Sequence, residues 1–394
     1  MNTKQLEALR PHLDSYCAEF DDCIKTRPSR GHMRTYVNGQ LGPLERKSVE
    51  PIALDAGTAP RTLQEFLAIH RWDEQKVATR VRHKVMKEHS SDSAVAVFDE
   101  TSFPKKGEMT AGVQRQYCGA TGKKDNCVVT VHLGYATDDF HTLVDGDLFL
   151  PEHTWACDPE RRRRAGIPDE LTHRPKWRIA LDLLDRTMRD GVRFKWATAD
   201  EAYGAAVEFR RGLADSGLLY VVEVPVNTCG RTSAMAKRSE QVRRVDELWK
   251  KGGPSWRMYH VKNTEKGPVA WDVRATRFRT VDNEVVGDEQ WLLVARNAMT
   301  DEVKYFLSNA PATAKCEVML HVAFTRANIE QLFFEAKSEV GMKHFEVRHY
   351  RPLMRHLVLS MVSLLFLNTE VLKLRGKKPV VEHLPGEGGD RCAA

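Results

Sequence analysis

The feature that most constrains the fold is a change of hydrophobic pattern near residue 93. Short apolar runs rich in β-branched residues predict strands, at 94–98, 127–136, 142–150, 194–198 and 218–224. The first three have turn-like connections, which predict an antiparallel meander, and a helical pattern at 174–189 separates them from the fourth. A meander followed by a helix and further strands predicts a mixed α/β core.

Other patterns flank this core. The first ninety residues have helical spacing, including a helix at 62–70 and a second one at 74–88 with Asp73 as its N-cap. Beyond the core the chain turns basic and then strand-rich, with strands expected at 270–280, 290–297 and 303–308. Helices expected at 325–340 and 357–374 close the pattern.

The composition excludes several classes of protein. With 42% hydrophobic and 29% charged residues, the 394-residue chain is not collagen-like, disordered or a coiled coil. The longest apolar run, 357–367, is shorter than the roughly 20 residues that span a bilayer, which predicts a buried helix. The first residues contain no secretion signal, so we expect a cytoplasmic protein without a membrane partner. The eight cysteines include no C-x-x-C pair and are interpreted as reduced packing residues.

Two aspartates occupy positions where a ligand site is expected. Asp99 follows the apolar run AVAVF directly, and Asp200 ends the run FKWAT. In α/β sheets, ligands bind outside the carboxyl ends of parallel strands. Taken singly, each aspartate is better explained as a cap or turn residue. Motifs for a triphosphate loop, a zinc helix or a serine nucleophile are absent, and no nucleotide cofactor is expected.

A third acidic residue lies on the helix TRANIEQLFFEAKSEVG. Arg326 precedes Glu330 by four residues and Lys337 follows it by seven, which places all three within a strip roughly 40° wide. Glu335 lies roughly 140° around the helix from Glu330 and is the less favoured alternative. The strip is explained either by ion contacts on a solvated helix or by a metal-binding carboxylate between two phosphate-binding cations.

In this order, the motifs FDET, TADEAYG and R-x-x-x-E-x-x-x-x-x-x-K resemble the DDE superfamily of insertion-sequence transposases. The stretches GVQRQYCGATGKKDNC, YFLSNAP and IEQLFFEAKSEVGMKHFEVRHY resemble the same group, so that the likeness covers residues 20–375. It implies an RNase H-like fold, as in ribonuclease H and retroviral integrases, split by a β-rich insertion. Related enzymes carry a Tyr at the position of Ala323. Because Ala323 has no hydroxyl group, we predict neither the phosphate contact that the Tyr makes nor excision through a hairpin intermediate.

The resemblance implies that Asp99, Asp200 and Glu330 are the catalytic, metal-binding residues of a DNA transposase that cleaves transposon ends and performs strand transfer. Three carboxylates in one pocket repel each other, so at least one pKa should be raised and divalent cations should relieve the repulsion. Hard oxygen ligands favour Mg²⁺, with Mn²⁺ as a substitute, and two ions per site fit an in-line displacement at phosphorus. Arg326 and Lys337 would then bind DNA phosphate.

A stripe of cations on the helix at 74–88 predicts a second DNA contact. Lys76, Arg80 and Lys84 recur at helical spacing, and two helices joined by a tight turn are typical of a helix-turn-helix. A solvated helix face explains the stripe equally well.

The predicted insertion carries the third basic segment. Residues 226–263 contain nine basic and three acidic residues, an excess equal to the net charge of +6 of the whole chain. Arg243 and Arg244 are candidates for phosphate contacts, and Trp249 and Trp256 for base stacking. The alternative to DNA binding is that the tryptophans pack in a hydrophobic core and the cations are solvated. A further basic group, 161–164, is expected in a loop and indicates DNA backbone contacts.

We therefore divide the chain into five segments. We expect a helical DNA-binding domain at 1–90, the first part of the catalytic core at 91–225 and a β-rich basic insertion at 226–320. The C-terminal core helices are expected at 321–375 and a disordered tail at 376–394. The expected partners are double-stranded DNA, as transposon ends and target, and a second copy in a homodimer at the nucleoid. A catalytically silent, domesticated regulator and an RNase H-fold nuclease without strand transfer are the alternative functions.

Overall fold

The computed structural model describes residues 3–232, 242–249, 253–264 and 267–376. The first ninety residues form five helices among the described residues, α1 to α5, at Thr3–Ala18, Arg27–Leu41, Val49–Asp55, Pro60–Ala68 and Glu74–His89. The predicted cap of α5 is confirmed, because the Asp73 carboxylate accepts hydrogen bonds from the backbone N–H groups of Gln75 and Lys76. The predicted helical character of this region is confirmed.

The central sheet begins with six strands, β1 to β6, at Val95–Pro104, Gln114–Cys118, Lys123–Ala136, His141–Leu148, Trp196–Ala199 and Leu219–Val224. Strands β4, β3 and β1 pair antiparallel, and β5 and β6 continue the sheet parallel to β1. Strand β2 pairs with the first part of β3. This arrangement is that of an RNase H-like core, so the predicted fold class is confirmed.

Four helices, α6 to α9, connect these strands, at Pro159–Ala165, Lys176–Arg189, Glu201–Gly204 and Val207–Asp215. The predicted loop at 161–164 is wrong, because these arginines lie in α6. Asp158 accepts a hydrogen bond from the backbone N–H of Arg161, and Pro159 occupies the first turn. An Asp-Pro pair is a helix-start signal, which the sequence interpretation missed.

The β-rich insertion supplies strands β7 to β12, at Cys229–Thr232, Arg243–Arg244, Arg257–Thr264, Gly267–Asp282, Val285–Asn297 and Val303–Ser308. Strand β12 pairs antiparallel with β6, from Tyr305 opposite Val224 to Ser308 opposite Val221. The insertion therefore extends the central sheet instead of forming a separate sheet, and Trp271 and Phe306 belong to the main hydrophobic core. The three predicted strands are confirmed, the first two being longer than expected.

Three helices follow the insertion, α10 to α12, at Cys316–Thr325, Ala327–Ser338 and Tyr350–Arg375. Helix α10 was not predicted. Helix α12 is long and apolar enough to cross a membrane by length and composition, and 67% of its most apolar window is buried inside the protein. The predicted burial of 357–366 is confirmed.

Helix α12 joins the N-terminal helices to the core. Helices α2, α4 and α5 pack against it, and strand β4 packs there as well. The Tyr36 hydroxyl lies 2.8 Å from His356 Nδ1, and Gln40 donates to the Ser360 hydroxyl at 2.9 Å, both within the buried interface. The helices at 1–90 thus share one core with the C-terminal helix. The disordered tail was predicted at 376–394, and of these residues 377–394 lie outside the described residues.

Candidate active site

Asp99 and Asp200 lie side by side on two parallel strands. Phe98 of β1 is paired with Ala199 of β5, so the residue that follows each of them is an aspartate. The expected end of β1 at Phe98 is wrong, because β1 continues to Pro104 by pairing with β3. Asp200 caps α8 by accepting backbone hydrogen bonds from Ala202 at 3.0 Å and Tyr203 at 3.3 Å.

Burial destabilises the charged form of both carboxylates. The Asp99 side chain is 14% exposed, and burial together with the nearby Asp200 raises its pKa to about 7. Burial also raises the pKa of Asp200, and the charge of Glu100 adds to that effect. The sequence predicted that at least one carboxylate of the site has a raised pKa when no metal is bound, and both aspartates have one.

Arg326 connects Asp99 to the helix that carries Glu330. It lies at the junction of α10 and α11, with Nη1 3.5 Å from Asp99 Oδ2 and Nη2 3.2 Å from Glu330 Oε1. The Glu330 side chain is 64% exposed. Burial lowers the pKa of Lys337, whereas the charges of Cys118 and Asp99 act to raise it. Arg326, Glu330 and Lys337 therefore share the side of α11 that is directed towards the aspartates.

Glu335 lies on another side of α11. Its Oε2 lies 3.4 Å from His141 Nε2, and its Oε1 accepts a hydrogen bond from Gln331 at 2.9 Å. Burial acts to raise the pKa of Glu335, but the hydrogen bonds from His141 and Gln331 lower it below its usual value. These contacts give Glu335 a packing role and leave Glu330 as the acid that Arg326 links to Asp99.

The carboxylates suit a divalent cation, although they are not gathered as a triad. Among the described residues, no group of three His, Cys, Asp or Glu side chains could hold a metal ion as they stand. Glu330 contacts Arg326 and solvent, which leaves Asp99 and Asp200 as a repelling pair of hard oxygen donors. A hard cation such as Mg²⁺ relieves that repulsion, so the residues present fit this kind of ion.

Two further polar residues beside the aspartates were not predicted as functional. Glu100 forms an ion pair with Lys176 on the opposite face of β1 from Asp99. His132 is buried and lies opposite Asp99 in the β1–β3 pair, where burial lowers its pKa to about 4. The alternation of side chains along β1 could have placed Glu100 beside Asp99 on the opposite face of the strand. Only the register of the β1–β3 pair shows that His132 lies opposite Asp99.

Two of the three cations in the stripe of α5 form ion pairs within the fold. Lys84 is 3% exposed and its ammonium lies 2.8 Å from Glu19 and 2.7 Å from Glu88. Arg80 lies 2.6 Å from the Asp22 carboxylate. Lys76 is exposed. The predicted phosphate-binding stripe is therefore wrong for Lys84, whose charge is enclosed by protein, and Arg80 is already paired.

The basic segment of the insertion is divided between surface and core. Arg243 and Arg244 are exposed on β8, and Arg244 forms an ion pair with Asp246 at 3.0 Å. Trp249 and Trp256 pack against a small hydrophobic cluster. The Arg274 guanidinium lies 4.2 Å from the Trp256 ring centre, which favours the packing alternative. Of the nine cations, Lys237, Arg238, Lys250 and Lys251 lie outside the described residues, as does the side chain of Lys262.

Two known proteins are similar to parts of this chain. A probable transposase for the insertion sequence element IS701 of Microchaete diplosiphon is 28% identical over 219 residues, 55% of this chain and 54% of that protein. The chain thus spans about half the length of this relative. The Drosophila P element transposase strand transfer complex is 14% identical over 59% of this chain and 52% of its own, with a TM-score of 0.24, too low to indicate a shared fold.

The family comparison covers most of the chain. Residues 19–279 match the family model described as DDE superfamily endonuclease. The matched segment contains Asp99 and Asp200 and ends before α11. Since it spans more than half of the sequence and includes both paired aspartates, the chain belongs to the DDE superfamily of endonucleases.

Proposed function

We propose that this protein is a DNA transposase that cleaves the ends of its own element and joins them to target DNA with divalent metal. The observation that carries the proposal is the pair of partly buried carboxylates on adjacent parallel strands, Asp99 and Asp200, with a pKa of Asp99 of about 7. Glu330 on α11 is linked to this pair through Arg326. Transposition is also the activity stated for the IS701 relative.

Asp99, Asp200 and Glu330 would hold the metal, Mg²⁺ with Mn²⁺ as a substitute, and two ions per site are proposed. Bound ions of this kind activate a water or a 3′-hydroxyl and stabilise the leaving oxygen, which serves both cleavage and strand transfer. Arg326 offers a guanidinium between two carboxylates, where it can make a bidentate contact with a phosphate. Lys337 adds a point charge on the same side of α11.

The proposed partners are double-stranded DNA and a second copy of the chain. Two transposon ends have to be held together for joining, which favours a homodimer, and the protein would work in the cytoplasm at the nucleoid. Among the described cations, Lys76, Arg163 and Arg164 are exposed and suit phosphate contacts outside the catalytic centre. Arg243, Arg244, Trp249 and Trp256 are weaker candidates because each already has a partner in the fold.

The test is cleavage of a donor plasmid that carries the terminal inverted repeats flanking the gene, with Mg²⁺ or Mn²⁺. Wild type is compared with Asp99→Asn, Asp200→Asn and Glu330→Gln, and each variant is expected to lose on the order of a thousandfold in rate or more. A variant that keeps nearly the wild-type rate removes that residue from the site. Wild type that binds ends without cutting them indicates the silent regulator, and cutting without joined products indicates the nuclease.

A further inference from the structure

The pairing between the two strands that lead to the aspartates ends one residue before them. Strands β1 and β5 pair as far as Phe98 and Ala199. Directly afterwards the chain leaves β5 and enters α8, whereas β1 continues against β3. The ladder therefore brings Asp99 and Asp200 together without fixing the distance between their side chains. Besides burial, the charge of Asp200 raises the pKa of Asp99, so the two carboxylates repel each other.

A contact on the opposite face of β1 joins the same two segments of the chain. Tyr203 lies on α8, three residues after Asp200, and is 1% exposed. Its hydroxyl interacts with the carboxylate of Glu100, the residue that follows Asp99, and neither the hydroxyl nor Glu100 Oε2 is accessible to solvent. Burial and the charge of Glu100 raise the pKa of Tyr203, so the hydroxyl stays protonated and donates to the carboxylate. The Glu100–Tyr203 contact thus bridges the two segments beyond the end of the ladder.

Both partners of the Glu100–Tyr203 contact are anchored in the fold. The other carboxylate oxygen, Glu100 Oε1, forms an ion pair with Lys176 at the start of α7. At Gly204, a Cβ atom would lie 1.9 Å from the Glu223 carbonyl oxygen, so α8 sits directly against β6. A continuous series of contacts therefore runs from α7 through Glu100 and Tyr203 to α8 and the sheet.

We infer that Glu100 and Tyr203 are positioning residues, which set the spacing of the two aspartates and thereby the affinity of the site for a divalent cation. The inference rests on the proposed function, in which both aspartates hold the metal. The backbone N–H of Glu100 donates to Asp99 Oδ1 at 2.7 Å, and that of Tyr203 donates to Asp200 Oδ1 at 3.3 Å. Each positioning residue is thus tied to its own aspartate. Because the Glu100 side chain lies on the opposite face of β1 from Asp99, the contact acts through the aspartates.

The experiment compares two buried tyrosines of the full chain. Tyr203→Phe removes the hydroxyl that donates to Glu100, and the control Tyr220→Phe removes a hydroxyl on β6 that donates to Gln290 at 3.1 Å. Mn²⁺ binding without DNA is measured by electron paramagnetic resonance of the free ion, and thermal unfolding is measured without metal. A purely structural role lowers the unfolding temperature of both variants and leaves Mn²⁺ binding unchanged.

Tyr203→Phe should weaken Mn²⁺ binding about tenfold, because residues that orient metal ligands contribute on this scale. Tyr220→Phe should stay within about twofold of wild type. Glu100→Ala should weaken binding as well, and adding Tyr203→Phe to it should cause little further loss, since both changes remove one contact. The half-saturating Mg²⁺ concentration for cleavage of end DNA should shift in parallel, while DNA affinity without metal stays unchanged.

Equal Mn²⁺ affinity of Tyr203→Phe and Tyr220→Phe would overturn the positioning role while leaving the transposase intact. Losses that multiply in the double variant would overturn it too, because the two side chains would then act independently. If Glu100→Ala does not fold, the two tyrosine variants decide the question by themselves. If wild type binds Mn²⁺ and Tyr203→Phe binds it tenfold more weakly, but wild type leaves end DNA uncut, the proposed function fails and the positioning role stands.

Discussion

Helices α5 and α11 both carry cations at helical spacing, but the fold surrounds them differently. On α5, Lys84 is enclosed between Glu19, which follows α1, and Glu88 of the same helix, and Asp22, also after α1, pairs with Arg80. On α11, Arg326 and Glu330 stay on an open face directed towards Asp99. The spacing of charges on a helix therefore defines a stripe, but residues distant in sequence decide whether that stripe is neutralised or available to a ligand.

The apolar residues of each helix explain the difference. Val77, Val81 and Val85 of α5 are fully buried, which draws the helix into the protein together with the flank that carries Lys84. Helix α11 buries Ile329 and Leu332 on one side only, and its charged side remains at the sheet edge. Similar sequence patterns thus give a structural ion network in one region and a candidate catalytic surface in the other.

The largest expected effect separates the two acids of α11. Glu330→Gln should reduce donor cleavage on the order of a thousandfold or more, because it removes a proposed metal ligand. Glu335→Gln is the matched control. It should keep cleavage within a few-fold and cost about 1 kcal/mol of stability, since it weakens contacts with His141 and Gln331. Retained cleavage in Glu330→Gln with loss in Glu335→Gln would move the third ligand.

The next effect tests the raised pKa of Asp99, which burial and the charge of Asp200 cause. An acid whose pKa rises from 3.8 to about 7 on folding destabilises the protein above both values, by up to ~4 kcal/mol. This penalty is absent below about pH 4 and grows until about pH 7. Asp99→Asn should therefore be more stable than wild type at pH 8 without metal, and the gap should close towards pH 4.

Thermal or urea unfolding across this pH range measures the gap. Asp92→Asn, at an exposed aspartate outside the site, is the control and should show little difference from wild type. Added Mg²⁺ should stabilise wild type more than Asp99→Asn. A pH-independent difference between wild type and Asp99→Asn would contradict the raised pKa of Asp99.

A smaller effect is expected for the enclosed lysine of α5. Lys84→Met should destabilise the protein by about 2–3 kcal/mol, because Glu19 and Glu88 lose a buried partner. The partly exposed carboxylates limit the loss. Lys87→Met, three residues further on at an exposed position, should change stability by less than about 0.5 kcal/mol. Equal stability of the two variants in urea unfolding would mean that Lys84 is not enclosed in solution.

The smallest effect compares the two helices directly in DNA binding. Lys337→Gln should lower the slope of log affinity against log salt concentration by about one, because one phosphate contact is lost. Lys84→Gln should leave that slope unchanged at a temperature where both proteins are folded. Fluorescence anisotropy with end DNA at several salt concentrations measures both slopes. A reduced slope only for Lys84→Gln would reverse the roles assigned to the helices.

Much of the fold was predictable because its signals are local. β-Branched runs predicted the strands of the core and insertion, and the Asp73 cap predicted the start of α5. The local signal at Asp158 and Pro159 was available for α6 and was missed. The two aspartates were predictable from their positions after apolar runs, although only the pairing of Phe98 with Ala199 brings them together.

By itself, the sequence determined the α/β class and most of the order of helices and strands, and it suggested Asp99, Asp200 and Glu330 as the acids of the site. These inferences follow from periodicity, capping or motif order within short stretches. The tertiary structure alone decided that Arg326 links Asp99 to Glu330, that Lys84 is buried and that Glu100 is paired with Lys176. The physical reason is that charge pairing and burial depend on neighbours contributed by distant residues, which a local pattern does not specify.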